Sequence, residues 1–203
     1  PRSTLFPYTT LFRSTDVLAS LQGLINESGD AENGYTYDTS KLERYAEVAF
    51  GEGIRAIHLH VVGDKSAEIT NPVSRVIRNE AGMRRLPVLD EVITRRGWQG
   101  RFFVSLTDEP FIHHEETYAA LVDQVHAVAP NVKTLEAVET EYLGDLDVYV
   151  PKLNHLHLWY PAFKRHQDEG KELWFYTCCI PQGTYPNRFL DQSLVHARVL
   201  HWI

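Results

Sequence analysis

From Asp38 onward the chain alternates short apolar runs with stretches of helical period, and glycine or proline separates them. That alternation limits the possible folds more than any other feature of the sequence. Ile54-Arg-Ala-Ile-His-Leu-His-Val-Val62 reads as a buried strand, as do Arg101–Thr107, Val132–Val138, Val148–Val150 and Glu172–Thr177. One helical pattern precedes the first of these strands and another lies between the first two. In one, Asp38-Thr39-Ser40 is an N-cap cluster and Glu43 is placed to close a capping box. Leu42, Tyr45, Ala46, Ala49 and Phe50 then follow at helical spacing, with Gly53 as the stop. The other covers about 86–96 and ends at Gly97, after a polar stretch that includes Asn71-Pro72. Glu115–Ala129 is the clearest helix, with Tyr118, Leu121, Val122 and Val125 on one face and Pro130 beyond its end. Ala162–Glu169 ends at Gly170, and a last helix starts near Gln192. Strands alternating with helices or irregular crossovers imply an α/β fold with a parallel sheet. No glycine-rich phosphate turn follows any strand, so a nucleotide-binding sheet has no signature here. The expectation is an incomplete (β/α)8 TIM-type barrel with about five of its eight strands present.

Residues 4–14, Thr-Leu-Phe-Pro-Tyr-Thr-Thr-Leu-Phe-Arg-Ser, show neither strand nor helix period. They lack an apolar signal core as well, and the string resembles a translated sequencing adapter. Residues 1–15 are therefore read as a non-native tail. Residues 16–203 are read as part of a catalytic barrel that begins and ends inside a longer natural chain.

The 203 residues suffice for a sizeable core, and the apolar and charged shares of 43% and 23% are those of a globular domain. A net charge of −7 argues against nucleic acid and anionic membrane as partners, and suits a neutral substrate. No apolar run approaches the roughly 20 residues of a membrane span. Cys178 and Cys179 are sequence neighbours, so they form no disulfide framework and are too few for a structural zinc site. Their expected place is the end of a buried strand.

In a β/α barrel the chemistry sits at the C-terminal ends of the strands. The polar residues there are His58, His60, Asp108, Glu109, Glu139 and the segment Tyr176 to Cys179 with its following loop. Phe102-Phe-Val-Ser-Leu-Thr-Asp-Glu-Pro110 is the strongest signal, an apolar strand delivering two adjacent carboxylates before a proline. Two acids so close repel, which favours one kept protonated as a general acid beside an ionised partner. The same residues also suit an Asp-Glu-Pro turn at a helix N-terminus.

His58 and His60 share a strand face. That spacing fits a metal-dependent hydrolase, with His113 or His114 as a further ligand, and fits equally two imidazoles that bind sugar hydroxyls. Trp174 and Tyr176 share a face too, and Tyr176 at the strand's end is the candidate for touching substrate. Asn187 and Arg188, on the loop after Pro181-Gln-Gly-Thr-Tyr-Pro186, would touch ligand or pin the loop, while Tyr142, Trp159 and Tyr160 are candidate exposed aromatics.

Five strings recur here in one order: Asp108-Glu109-Pro110, Asp147-Val-Tyr-Val-Pro151, Trp174-Phe-Tyr-Thr-Cys178, Pro186-Asn-Arg-Phe189 and Arg198-Val-Leu-His-Trp202. Together they resemble glycoside hydrolase family 123 and the related families that share its C-terminal catalytic domain, over roughly residues 35–203. The resemblance implies a (β/α)8 barrel that cleaves terminal β-linked N-acetylgalactosamine with retention, using the substrate's 2-acetamido group as nucleophile. It further implies that Glu109 is the general acid/base and that Asp108 orients and polarises the acetamido group. Adjacent acids then suffice, because substrate-assisted families need no protein nucleophile across the bond. His58, His60, Tyr176, Asn187 and Arg188 would bind the sugar, a glycan ending in an N-acetylated hexosamine. No metal or other cofactor is implied. The parent protein would be bacterial and exported, and would carry an N-terminal β-sandwich-type domain. Two alternatives stay open, a metal-dependent hydrolase using His58 and His60, and a carbohydrate-binding barrel without turnover.

Overall fold

The computed structural model describes residues 16–60, 63–65, 75–141 and 143–200. Residues 4–14, Val61-Val62, Asn71-Pro72, Tyr142, and His201 and Trp202 of the last motif lie outside them. The elements in chain order are β1 (Asp16–Ser20), α1 (Leu21–Leu24), β2 (Asn26–Asp30), β3 (Gly34–Asp38), α2 (Ser40–Gly51), β4 (Ala56–His60), β5 (Gly63–Lys65) and β6 (Val76–Arg78). They continue with α3 (Glu80–Arg96), β7 (Phe102–Ser105), α4 (Glu115–Val128), β8 (Lys133–Val138), β9 (Val148–Pro151), α5 (Tyr160–Asp168), β10 (Glu172–Leu173) and α6 (Leu194–Val199). No helix among the described residues is long and apolar enough to cross a membrane. The chain forms two compact units, and the longer strands pair parallel in the order β1-β4-β7-β8-β9-β10.

The first unit holds residues up to 64, 78–106 and 124–134. Its strands β1, β4, β7 and the start of β8 pair in that order, with Ser20 beside His60 and His60 beside Ser105. Ile57 and Leu59 of β4 are fully buried, while His58 and His60 occupy the opposite face. In α3, Leu86, Leu89 and Ile93 are fully buried at helical spacing, each burial contributing about 1.5–3 kcal/mol. Phe50 meets Trp98 and Phe102 edge-on at 5.4 and 5.9 Å, and the Arg101 guanidinium covers its outer face at 3.4 Å.

The β2–β3 hairpin turns on Asp30, whose carboxylate accepts from the backbone N–H groups of Glu32 and Asn33. Gly29 is obligatory there, since a Cβ would stand 2.1 Å from the Gly34 carbonyl oxygen. Arg84 and Arg85 of α3 both reach Glu27 on β2.

The second unit holds 65–77, 107–123 and 135–203. The rest of β8 pairs with β9, and β9 with β10, again parallel. Every residue of β9 is buried. Tyr149 stacks on His166 of α5 with ring centroids 4.3 Å apart, and its hydroxyl donates to the Gly144 carbonyl at 2.6 Å.

Several expectations change. The parallel sheet has six strands, since β1 is a strand of it and was not among the five read from sequence. Its Asp16-Val-Leu-Ala-Ser20 lacks the β-branched density of the others. The second helix begins at Glu80, well before residue 86, capped by Asn79, whose side-chain oxygen accepts from Gly82 N–H at 3.1 Å. Pro87 sits inside that helix, where it has no N–H to give to the backbone ladder. At α2 the Thr39 hydroxyl turns to Glu43 and makes no cap bond to the backbone. Strand β10 is two residues long, with one further bridge between Lys152 and Tyr176. Cys178 and Cys179 are exposed, because the chain has left the sheet by then.

Candidate active site

The site in the second unit is assembled where β8, β9 and β10 end, together with the turn that follows β7. Parallel strands bring their C-terminal ends to one edge, so each contributes a polar side chain there. Glu139 follows β8, Lys152 follows β9 and Tyr176 lies on the continuation of β10.

The turn carrying Asp108 and Glu109 is anchored from beneath. Glu136 of β8 is only 1% exposed, and its carboxylate accepts from Thr107 N–H at 2.8 Å and from the Tyr118 hydroxyl at 3.0 Å. A buried carboxylate is stable only when hydrogen-bonded, and these bonds also fix the backbone one residue before the acidic pair. Burial, followed by the charge of Glu136, raises the Tyr118 hydroxyl well above its ordinary value, so it remains a donor. Beyond Thr107 the chain turns sharply. Glu109 has φ of 44°, and among the described residues it is the one non-glycine with positive φ. That conformation costs on the order of 1–2 kcal/mol and persists only where the surroundings impose it. Asp108 is exposed and Glu109 half-buried.

Glu109 Oε1 accepts a hydrogen bond from the Tyr176 hydroxyl and lies 3.2 Å from Lys152 Nζ. Glu139 Oε1 pairs with the same Lys152 Nζ and lies 3.2 Å from the same Tyr176 hydroxyl. His155 Nδ1 stands 3.3 Å from Glu139 Oε2, without hydrogen-bond alignment. Lys152 and Glu139 are 12% and 10% exposed, so their ion pair is largely shielded from solvent. Burial works against the Lys152 ammonium, but Glu139 and then Glu109 outweigh it and hold its pKa above the ordinary lysine value. Burial, then the contact with Glu109, raises Tyr176 far above an ordinary phenol, which keeps its proton in place. A half-buried carboxyl beside a phenol donor and an ion pair is chemically suited to proton transfer.

The other residues singled out from sequence fall as follows. In the first unit His58 and His60 stack with centroids 5.7 Å apart, and His60 Nδ1 lies 3.2 Å from the Ser105 hydroxyl. His58 Nε2 is buried with no hydrogen-bond partner among the described residues, and burial plus the neighbouring His60 push its pKa down to about 4. Asn187 is 3% exposed and gives both amide hydrogens to the carbonyls of Cys178 and Pro181, so it pins its loop. Arg188 beside it is exposed, with Nη2 3.4 Å from the Thr177 hydroxyl. His114 is buried and accepts from Phe111 N–H, which stabilises the turn before α4. Among the described residues no group of three or more His, Cys, Asp or Glu side chains is placed to hold a metal ion. Of the aromatics, Trp159 is half-buried against His155, and Tyr160 is 53% exposed. Tyr160 lines a groove of about 590 Å³ with Trp174 and Phe175, to which no member of the carboxylate cluster contributes.

Lys152 and His155 were not anticipated. Lys152 follows Pro151 at the end of an apolar strand, so the rule that marked Glu139 applies to it equally. His155 had no such signal, because it lies on an irregular turn.

An apolar strand ends in Asp-Glu here, and further polar groups stand at the ends of the succeeding parallel strands of an α/β sheet. Residues 13–203 match the family described as "Glycoside hydrolase 123, catalytic domain". The chain belongs to that family, and it is a glycoside hydrolase acting on carbohydrate. No curated protein matches it.

Proposed function

We propose that the chain hydrolyses a β-linked terminal N-acetylated hexosamine, of the N-acetylgalactosamine or N-acetylglucosamine type, with retention and by substrate assistance. Its parallel strands and intervening helices would be wall segments of a (β/α)8 barrel. The observation that carries the reading is Glu109, a half-buried carboxyl in strained backbone that touches Tyr176 and Lys152 at the strand ends.

Glu109 gives its proton to the glycosidic oxygen as the bond to the anomeric carbon breaks. The acetamido oxygen attacks that carbon from the opposite face, and Asp108 accepts the amide N–H and stabilises the developing charge. Glu109, now a carboxylate, takes a proton from the water that opens the cyclic intermediate, which restores the β configuration. Tyr176 keeps Glu109 in place. Asn187 acts by holding the loop that presents Arg188.

The test compares aryl glycosides that carry 2-acetamido or plain 2-hydroxyl groups. Only the former should turn over, and Glu109→Gln should lower that turnover by roughly 10²–10⁴-fold on a poor leaving group. Asp108→Asn should weaken both turnover and binding of a thiazoline mimic of the cyclic intermediate. Equal rates on the two sugars would exclude substrate assistance, and binding without hydrolysis would make the chain a lectin-like module.

A further inference from the structure

We propose that Cys178 and Cys179 form a redox-active vicinal dithiol, which a small-molecule disulfide such as oxidised glutathione closes into an intramolecular bridge. Closure resets the loop that carries Arg188. The inference is independent of the reading of Glu109 as general acid.

Three observations meet at this pair. Both cysteines are exposed, so an oxidant in solution reaches either sulfur. Their sulfurs lie 4.0 Å apart, with the Cys179 thiol directed at Cys178 Sγ. Their backbone is held by the loop that follows. Cys178 N–H donates to the Ile180 carbonyl at 2.8 Å, and Gln182 Nε2 donates to the Cys179 carbonyl at 3.1 Å. Asn187 Nδ2 donates to the Cys178 carbonyl, also at 3.1 Å. The two thiols therefore stand side by side on a pinned turn.

That arrangement supports two successive exchange steps. One cysteine thiolate attacks the S–S bond of the oxidant, forms a mixed disulfide and expels one glutathione thiolate. The neighbouring thiolate then attacks the protein sulfur of that mixed disulfide, and the second glutathione leaves. Two protein S–H bonds and one S–S bond are lost; one S–S bond and two glutathione S–H bonds are gained. The cysteines are oxidised by two electrons, and the oxidant is reduced by the same two. The neighbour is always within reach, so the second step outruns capture by another chain.

Such a bridge is labile. The Cys178–Cys179 peptide is trans, which sets the two Cα atoms about 3.8 Å apart, whereas unstrained bridges span about 4.4–6.8 Å. Strained and exposed bridges are the readily reduced, regulatory class. The ring also contains the 178–179 peptide itself. Bringing the sulfurs from 4.0 Å to about 2.05 Å turns that peptide. Its carbonyl is the one that Asn187 holds, together with the carbonyl of Pro181. Asn187 is buried and Arg188 follows it, so the turn of the peptide is passed along the loop.

The experiment treats the full chain with oxidised glutathione and reads intact mass and free thiols. The chain has no other cysteine, so every thiol lost belongs to the pair. It should lose both thiols and two hydrogens, retain no glutathione, and return to the dithiol in excess reduced glutathione. Cys178→Ser and Cys179→Ser should each retain one glutathione instead. In ¹H–¹⁵N spectra, closure should move the amides of residues 178–188 and leave those of 57–59 in place. A glutathione retained on the unsubstituted chain, or a disulfide-linked dimer, overturns the vicinal bridge. So do two thiols that survive conditions modifying both serine variants. Closure with unmoved amides of Asn187 and Arg188, or with loss of dispersion throughout the spectrum, overturns the link to the loop.

Discussion

His58 sits in an environment that disfavours its charged form. Its ring is neutral at physiological pH because burial and the adjacent His60 depress its pKa to about 4. The unfolded chain binds that proton near pH 6.5, so between about pH 6.5 and pH 4 it carries more protons than the folded chain. Stability from this residue is therefore present above pH 6.5 and lost as pH falls through that window. The loss should reach roughly 2–3 kcal/mol by pH 4, the lower figure allowing for the part of the ring that solvent reaches. Urea midpoints measured from pH 7 to pH 4 should fall less steeply in His58→Leu than in the unsubstituted chain, and parallel slopes would show that His58 is not the titrating group. The two histidines were visible in the sequence as a same-face pair on a strand. Their stacking and the unpaired Nε2 were not, because both depend on how the neighbouring strands register. Asp108 and Glu109 were visible for a different reason, since proline after two acids marks a strand end directly. Lys152 was equally available to that rule, whereas its sharing between Glu109 and Glu139 depends on the turn after β7 as well as on the parallel register of β8 and β9.

The elements legible in the sequence were those whose boundaries carry their own chemistry. Helix α4 begins with Glu115 and Glu116 and stops just before Pro130, and it was read nearly to the residue. Helix α3 was read six residues short, because Pro87 in sequence looks like a first-turn residue when Asn79 is in fact the cap. Strand β1 was missed outright, as nothing in five residues with one valine and one leucine distinguishes a strand from a loop.

The segment between β8 and β9 shows how an irregular stretch is fixed by one contact. Gly144 has φ of 87°, its carbonyl accepts the Tyr149 hydroxyl, and a Cβ there would meet Ala119 Cα of α4 at 2.9 Å. A backbone atom cannot yield as a side-chain tip does. Gly144→Ala should then cost about 2–4 kcal/mol, from left-handed strain and the displaced helix together. Chemical denaturation of the two chains would measure it, and a difference below about 0.5 kcal/mol would mean the segment can relax away from α4.

Across the whole molecule, regular structure is unevenly distributed, and local stability should follow. In the first unit β4 and β7 pair over four residues, and Ile57, Leu59, Phe102 and Val104 are at most 1% exposed. In the second, β10 contributes two paired residues, and residues 177–193 contain no helix or strand. Leu190, Leu194 and Val195 are largely exposed in that stretch and in the short α6 after it, so little apolar burial opposes its opening. Local opening free energy scales with buried contacts and shielded hydrogen bonds, from near zero in loops to the global value in core strands. Amides of residues 57–59 and 103–105 should accordingly exchange at least about a thousandfold more slowly than those of 182–195, a gap of about 4 kcal/mol in opening free energy. Hydrogen–deuterium exchange resolved by NMR would show it. Equal protection in the two regions would mean that the C-terminal loop opens only with the sheet, and that the pinning bonds of Asn187 are worth far more than their number suggests.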